Sequence, residues 1–107
     1  MAPKFSDQDG VVAEPKTRQD VARPRLYKVL MHNDNYTTRE FVVHVLRTIF
    51  RHNETDATRI MLFVHHQGVG TAGVYPFEIA ETKARHTEQL ARAQEFPLKL
   101  SLEPEEN

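Results

Sequence analysis

The stretch LYKVLMHNDNYTTREFVVHVL, residues 26–46, decides the fold. Its opening, Leu26 to His32, is mostly apolar and rich in strand formers, and it stops at the turn-prone Asn33-Asp34-Asn35. Thr37, followed three residues later by Glu40, reads as a capping box. From Phe41 to Phe50 the apolar residues then recur at helical rather than alternating spacing. The pattern predicts a strand, a tight turn and a helix from about Thr38 to Phe50.

Working outward, Asn53 can cap a second helix in which Ala57, Ile60, Met61 and Val64 fall at i, i+3, i+4 and i+7, and Gly68 ends it. Gly70 to Tyr75 reads as a second strand. Pro76 closes that strand before a third helix, from about Phe77 to Ala93, whose outer face is charged. Leu98, Leu100 and Leu102 alternate with Lys99, Ser101 and Glu103, a one-sided strand ended by Pro104. The order β-α-α-β-α-β predicts an α+β domain with its helices on one face of a small antiparallel sheet. Upstream, Met1 to Pro24 carries Pro3, Pro15 and Pro24 among mixed charges, and too few apolar side chains to offset its ordering entropy. A flexible arm over residues 1–24 and one folded domain over residues 25–107 are expected.

Composition narrows the function classes. A chain of 107 residues that is 39% hydrophobic suffices for one core. The formal charge is −1, with no long block of like sign, which points away from nucleic acid and from anionic membranes. With no cysteine, disulfides, thiol nucleophiles and Cys-based zinc sites are excluded. No signal-peptide h-region and no membrane-spanning apolar run occurs, so a soluble, cytoplasmic protein is expected. Six histidines raise the question of a metal, but there is no H-E-x-x-H, and His65-His66 diverge on a helix rather than chelate. No metal or other cofactor is expected. Neither a nucleophile elbow nor a phosphate-binding loop is present.

Three features could carry chemistry. Arg39 projects from within the apolar arc of the first helix, where only the core's edge or a cavity mouth tolerates a cation. His65 flanks the Ala57-Ile60-Met61-Val64 stripe, with His66 pointing to roughly the opposite side. His65 can border an apolar pocket or be a satisfied boundary histidine beside plain core residues. The Asn33-Asp34-Asn35 turn offers oxygens that could accept hydrogen bonds from a cation, and it is equally well explained by turn chemistry.

From LYKVLMHNDNYTTREFVVHVL onward the chain resembles ClpS, the Clp protease adaptor that recognises N-terminal degradation signals. ATRIMLFVHHQGVG, GVYPFEIAETK and FPLKLSLEPE continue the resemblance over about Leu26 to Glu105. It implies three helices covering a three-stranded antiparallel sheet, and no catalysis. It implies a monomeric adaptor that holds an N-terminal Phe, Tyr, Trp or Leu in a surface pocket while docked on the N-terminal domain of a ClpA-type AAA+ unfoldase. By resemblance, the substrate's α-amino group falls to Asn33, Asp34, Asn35, Thr37 and His65. The pocket falls to Arg39, Val42, Met61, Val64 and Leu98, with Leu30, His32 and Val43 as neighbours. ATPase docking falls to Glu78, Glu81 and Lys83. Two departures stand out: the family's usual second Asp of the turn is Asn35, and its usual gating Met is Arg39. The first removes a carboxylate that favours an ammonium, and the second puts size selection in doubt and adds repulsion toward basic residues near the substrate terminus. The competing expectations are a ribosome- or translation-associated binding module of similar α+β fold, and a small hydrolase or isomerase using His65 and Asp34 as acid and base.

Overall fold

Strand β1, Leu26–His32, lies at the centre of the sheet and organises the rest of the fold. Its alternation is one-sided: Val29 and Met31 are fully buried, whereas Lys28, Leu30 and His32 are only half-buried. A computed structural model describes residues 23–106, so the expected arm lies outside the described residues except for Arg23 and Pro24. On one side β1 pairs antiparallel with β2, Val69–Pro76, from Leu26↔Pro76 to His32↔Val69. On the other it pairs antiparallel with β3, Lys99–Pro104, from Tyr27↔Pro104 to His32↔Lys99. The spatial order is β2-β1-β3. Between Val29↔Gly73 and Leu30↔Thr71 the register shifts, leaving Ala72 as the extra residue of a bulge. Its carbonyl accepts a hydrogen bond from His52 Nε2 at 2.6 Å.

Helix α1, Arg39–Thr48, buries Phe41, Val42, Val45 and Leu46 on one stripe. The capping box expected at Thr37 is displaced. Thr38 is the N-cap, its hydroxyl accepting from Phe41 N–H at 3.1 Å, while Thr37 is drawn into the preceding turn. The helix also ends earlier than Phe50, with Ile49 as its C-cap. Helix α2, Glu54–Gln67, starts as expected at Asn53, whose side chain accepts from Asp56 N–H at 2.8 Å. It stops at Gly68, whose φ of 92° is reached without strain by a residue lacking Cβ.

Helix α3, Phe77–Ala93, touches all three strands, and the small residues Ala80, Thr87 and Ala91 on its buried stripe allow close approach. Glu88 Oε2 accepts from Leu100 N–H at 2.8 Å, tying β3 to this helix. The element order, the three antiparallel strands and the three helices agree with the sequence expectation.

Candidate functional site

Two local structures bring the candidate residues together. At the end of α2, the Gly68 carbonyl accepts from Asn33 N–H at 2.9 Å, which pins the turn after β1 against the C-terminal end of that helix. Within the turn, Asp34 Oδ1 accepts from the backbone N–H groups of Tyr36 at 2.8 Å and Thr37 at 2.7 Å. Its Oδ2 accepts from the Thr37 hydroxyl at 2.8 Å. The turn, the first turn of α1 and the last turns of α2 then enclose a cavity of about 210 Å³. Asn33, Asp34, Asn35, Thr37, Arg39, Val42, Met61, Val64 and His65 line it. Val42, Met61 and Val64 also belong to the hydrophobic core, so the apolar wall is anchored from behind.

Asp34 is only partly buried. Burial pulls its pKa upward, but the N–H groups of Thr37 and Tyr36 and the Thr37 hydroxyl outweigh that pull, and the result lies below the ordinary 3.8. The charged form is therefore favoured by folding. A depressed carboxylate pKa contributes stability that is present above the ordinary range and is lost as pH falls through the lowered value. We expect the thermal midpoint to drop below about pH 4, and Asp34→Asn to lower it at neutral pH while flattening that acid limb. Thermal unfolding followed by circular dichroism across pH 2.5–7 checks this. Superimposable profiles for the two proteins would contradict it.

Arg39 and His65 meet at the cavity, with Arg39 Nη2 3.1 Å from His65 Nε2. A guanidinium only donates, so Nε2 must accept. Nothing in the residue spacing signalled this contact, because 26 positions separate the two side chains. His65 lines the cavity and His66, which is exposed, does not; the two rings meet edge to face with their centroids 5.2 Å apart.

Leu98 is not part of the lining. It is 1% exposed, in the core, and its carbonyl accepts from Arg92 Nη1 at 3.0 Å. The alternation that makes β3 one-sided turns Leu98 and Leu100 inward together, away from the surface. Leu30 and His32 are likewise absent from the lining: they alternate with the buried Val29 and Met31, and His32 Nε2 is 2.7 Å from Ser101 Oγ. Val43 lines a larger groove of about 730 Å³ along α1 and α2, which shares Arg39 and Met61 with the smaller cavity. Sequence reading missed this groove, since its walls come from the outer face of α1 and the start of α2.

On α3, Glu78 and Glu81 are exposed beside Phe77 and Ile79, which are 44% and 47% exposed. Lys83 differs from them. It is half-buried, its Nζ donates to Ile49 O at 2.6 Å and lies 5.2 Å from the Tyr75 ring centroid, so its ammonium fastens α3 to the end of α1. Among the described residues, no group of three His, Cys, Asp or Glu is placed to hold a metal ion, and no helix is long and apolar enough to cross a membrane.

Residues 22–101 match the family model described as ATP-dependent Clp protease adaptor protein ClpS. The chain belongs to the ClpS family. ClpS proteins are adaptors of the Clp protease and not enzymes, which removes the hydrolase or isomerase expectation for His65 and Asp34. The ATP-dependent Clp protease adapter protein ClpS of Myxococcus xanthus is 54% identical over 106 residues, 99% of each chain. The ClpS of Desulfatibacillum aliphaticivorans is 54% identical over 99 residues, 92% of this chain and 93% of that one. Among solved structures, Agrobacterium tumefaciens ClpS2 bound to L-phenylalaninamide superposes with a TM-score of 0.74 at 44% identity, covering 78% of this chain and all of that one.

Proposed function

We propose that this chain binds other polypeptides by their first residue, through its free α-amino group and a bulky hydrophobic side chain, and delivers them to a ClpA-type unfoldase for degradation in the cytoplasm. The observation that carries this reading is the cavity in which Val42, Met61 and Val64 share walls with Asn33, Asp34 and Asn35. A volume of about 210 Å³ suits one large side chain and not a folded partner. The ligand of the related ClpS2 fits the same chemistry, since phenylalaninamide carries a free amine, a benzyl side chain and an amide where the next peptide bond would be.

An α-amino group has a pKa of about 8 and is mostly a cation at neutral pH, which separates it from internal and acetylated nitrogens. The side-chain oxygens of Asn33 and Asn35 and the remaining lone pairs of Asp34 would accept its protons, each bond to the charged group contributing roughly 1.5–3 kcal/mol. Burying Phe, Tyr, Trp or Leu against the apolar wall adds about 1.5–3 kcal/mol. After ordering costs, an affinity around micromolar, about −8 kcal/mol, suits a carrier that must release its cargo.

For docking on the N-terminal domain of the unfoldase we propose the exposed start of α3, where Glu78 and Glu81 flank the apolar Phe77 and Ile79. Lys83 supports that surface from behind. The test is degradation of two reporter proteins that differ only in their first residue, Phe or Ala, by ClpA and ClpP with and without this chain. The chain should accelerate loss of the Phe-initiated reporter alone. Equal rates with and without it would reject delivery.

A further inference from the structure

Arg39 stands at the seam of two spaces: it lines the small cavity and also the 730 Å³ groove along α1 and α2. A chain whose first side chain fills the cavity, as the functional reading above requires, therefore leads its second and third residues past this guanidinium. Two features make a cation here unusual. Arg39 is the first residue of α1, where the positive end of the helix disfavours a positive charge. Among the described residues, moreover, the ion pair found within 4.0 Å is Arg59–Asp56, so no described carboxylate neutralises Arg39. Its polar partner is the neutral acceptor His65 Nε2.

That partnership has a cost for binding. The imidazole lone pair that an arriving ammonium would use is already occupied, and the occupant carries the same charge as the ammonium. A carboxylate makes a stronger, bidentate pair with a guanidinium than an imidazole nitrogen does. The groove itself carries charges of both signs, its lining including Glu40 and Glu54 as well as Arg47, so the unneutralised guanidinium at the seam is the feature that would set a charge preference.

We propose that Arg39 is a specificity-determining residue, one that occupies the His65 lone pair in the free protein and yields it to substrates carrying an acidic side chain directly behind a bulky hydrophobic first residue. The inference rests on the first-residue reading and names a substrate class within it. An acidic second or third residue draws the guanidinium off His65, so the ammonium gains an acceptor as it loses a competitor. A basic residue there meets repulsion and leaves the lone pair blocked.

The test uses three labelled heptapeptides with a free amine and Phe first, carrying Ala, Glu or Lys at positions two and three. Their affinities for the full chain and for Arg39→Met are measured by fluorescence anisotropy at low salt. The wild-type chain should bind the Glu peptide about tenfold more tightly than the Lys peptide. Arg39→Met should compress that ratio to within about twofold and bind the Ala peptide several-fold more tightly than wild type does. A ratio that survives in Arg39→Met, the absence of a ratio in wild type, or an Ala peptide that gains nothing from the substitution overturns the proposal while leaving the first-residue reading standing. If no peptide binds either protein, the first-residue reading falls and this inference falls with it.

Discussion

Acetylating the α-amino group of a Phe-initiated peptide is expected to weaken its binding to this chain by about a hundredfold or more. The argument turns on which half of the cavity recognises what. The apolar wall of Val42, Met61 and Val64 meets the same benzyl side chain in both peptides, so its contribution of about 1.5–3 kcal/mol is common to the two. The polar side of the site, from Asn33 to Asn35, meets three charged N–H donors in one peptide and a single neutral N–H in the other. Losing two charge-assisted hydrogen bonds at roughly 1.5 kcal/mol or more each amounts to about 3 kcal/mol, or a factor of roughly a hundred. An acetyl group also adds bulk, and a 3-phenylpropionyl peptide, which lacks the nitrogen without adding atoms, separates the two effects. Anisotropy titrations with all three peptides check the point, and similar affinities would remove the amine from the recognition mechanism.

How much of this could be read from the sequence depends on how local the determining interactions are. The alternation of β1, the Asn53 cap, the Gly68 stop and the limits of α3 are set by neighbours in the chain, and all are legible there. The start of α1 was misplaced by one residue because Thr37 and Thr38 are equally good caps. What decides between them is Asp34, which takes both the N–H and the hydroxyl of Thr37 and leaves Thr38 free to cap. Of the binding residues the resemblance implies, all but Leu98 line the cavity, and Leu98 lies in the core. Strand alternation predicts that Leu98 faces inward but says nothing of how deep it sits. The resemblance implies ATPase docking for Lys83 together with Glu78 and Glu81, and nothing local in the sequence shows that its ammonium is held within the fold. The acceptor that claims it, Ile49 O, lies 34 residues away. The Arg39–His65 contact and the groove beside it are similarly products of how α1 and α2 cross, and no pattern within either helix announces them.

The division between residues that hold the fold and residues that meet a ligand can be tested by a pair of substitutions with opposite outcomes. Leu98→Ala removes most of a side chain that is 1% exposed, in the same core cluster as Phe41, Val45 and Leu46. Such truncations cost about 2–5 kcal/mol, depending on how far the neighbours collapse into the space. For a domain of this size that corresponds to a thermal midpoint lower by roughly 10 °C or more. Because Leu98 does not line the cavity, peptide affinity measured well below the midpoint should stay within about twofold of wild type. Asn33→Ala should do the reverse. The Asn33 side chain is exposed, and the bond that pins the turn to Gly68 comes from its backbone, so the fold keeps its stability while the site loses an acceptor for the ammonium. Thermal unfolding and anisotropy on both variants give a two-by-two comparison. A large affinity loss in folded Leu98→Ala would return that residue to the binding wall, and unchanged affinity in Asn33→Ala would take the turn out of the site.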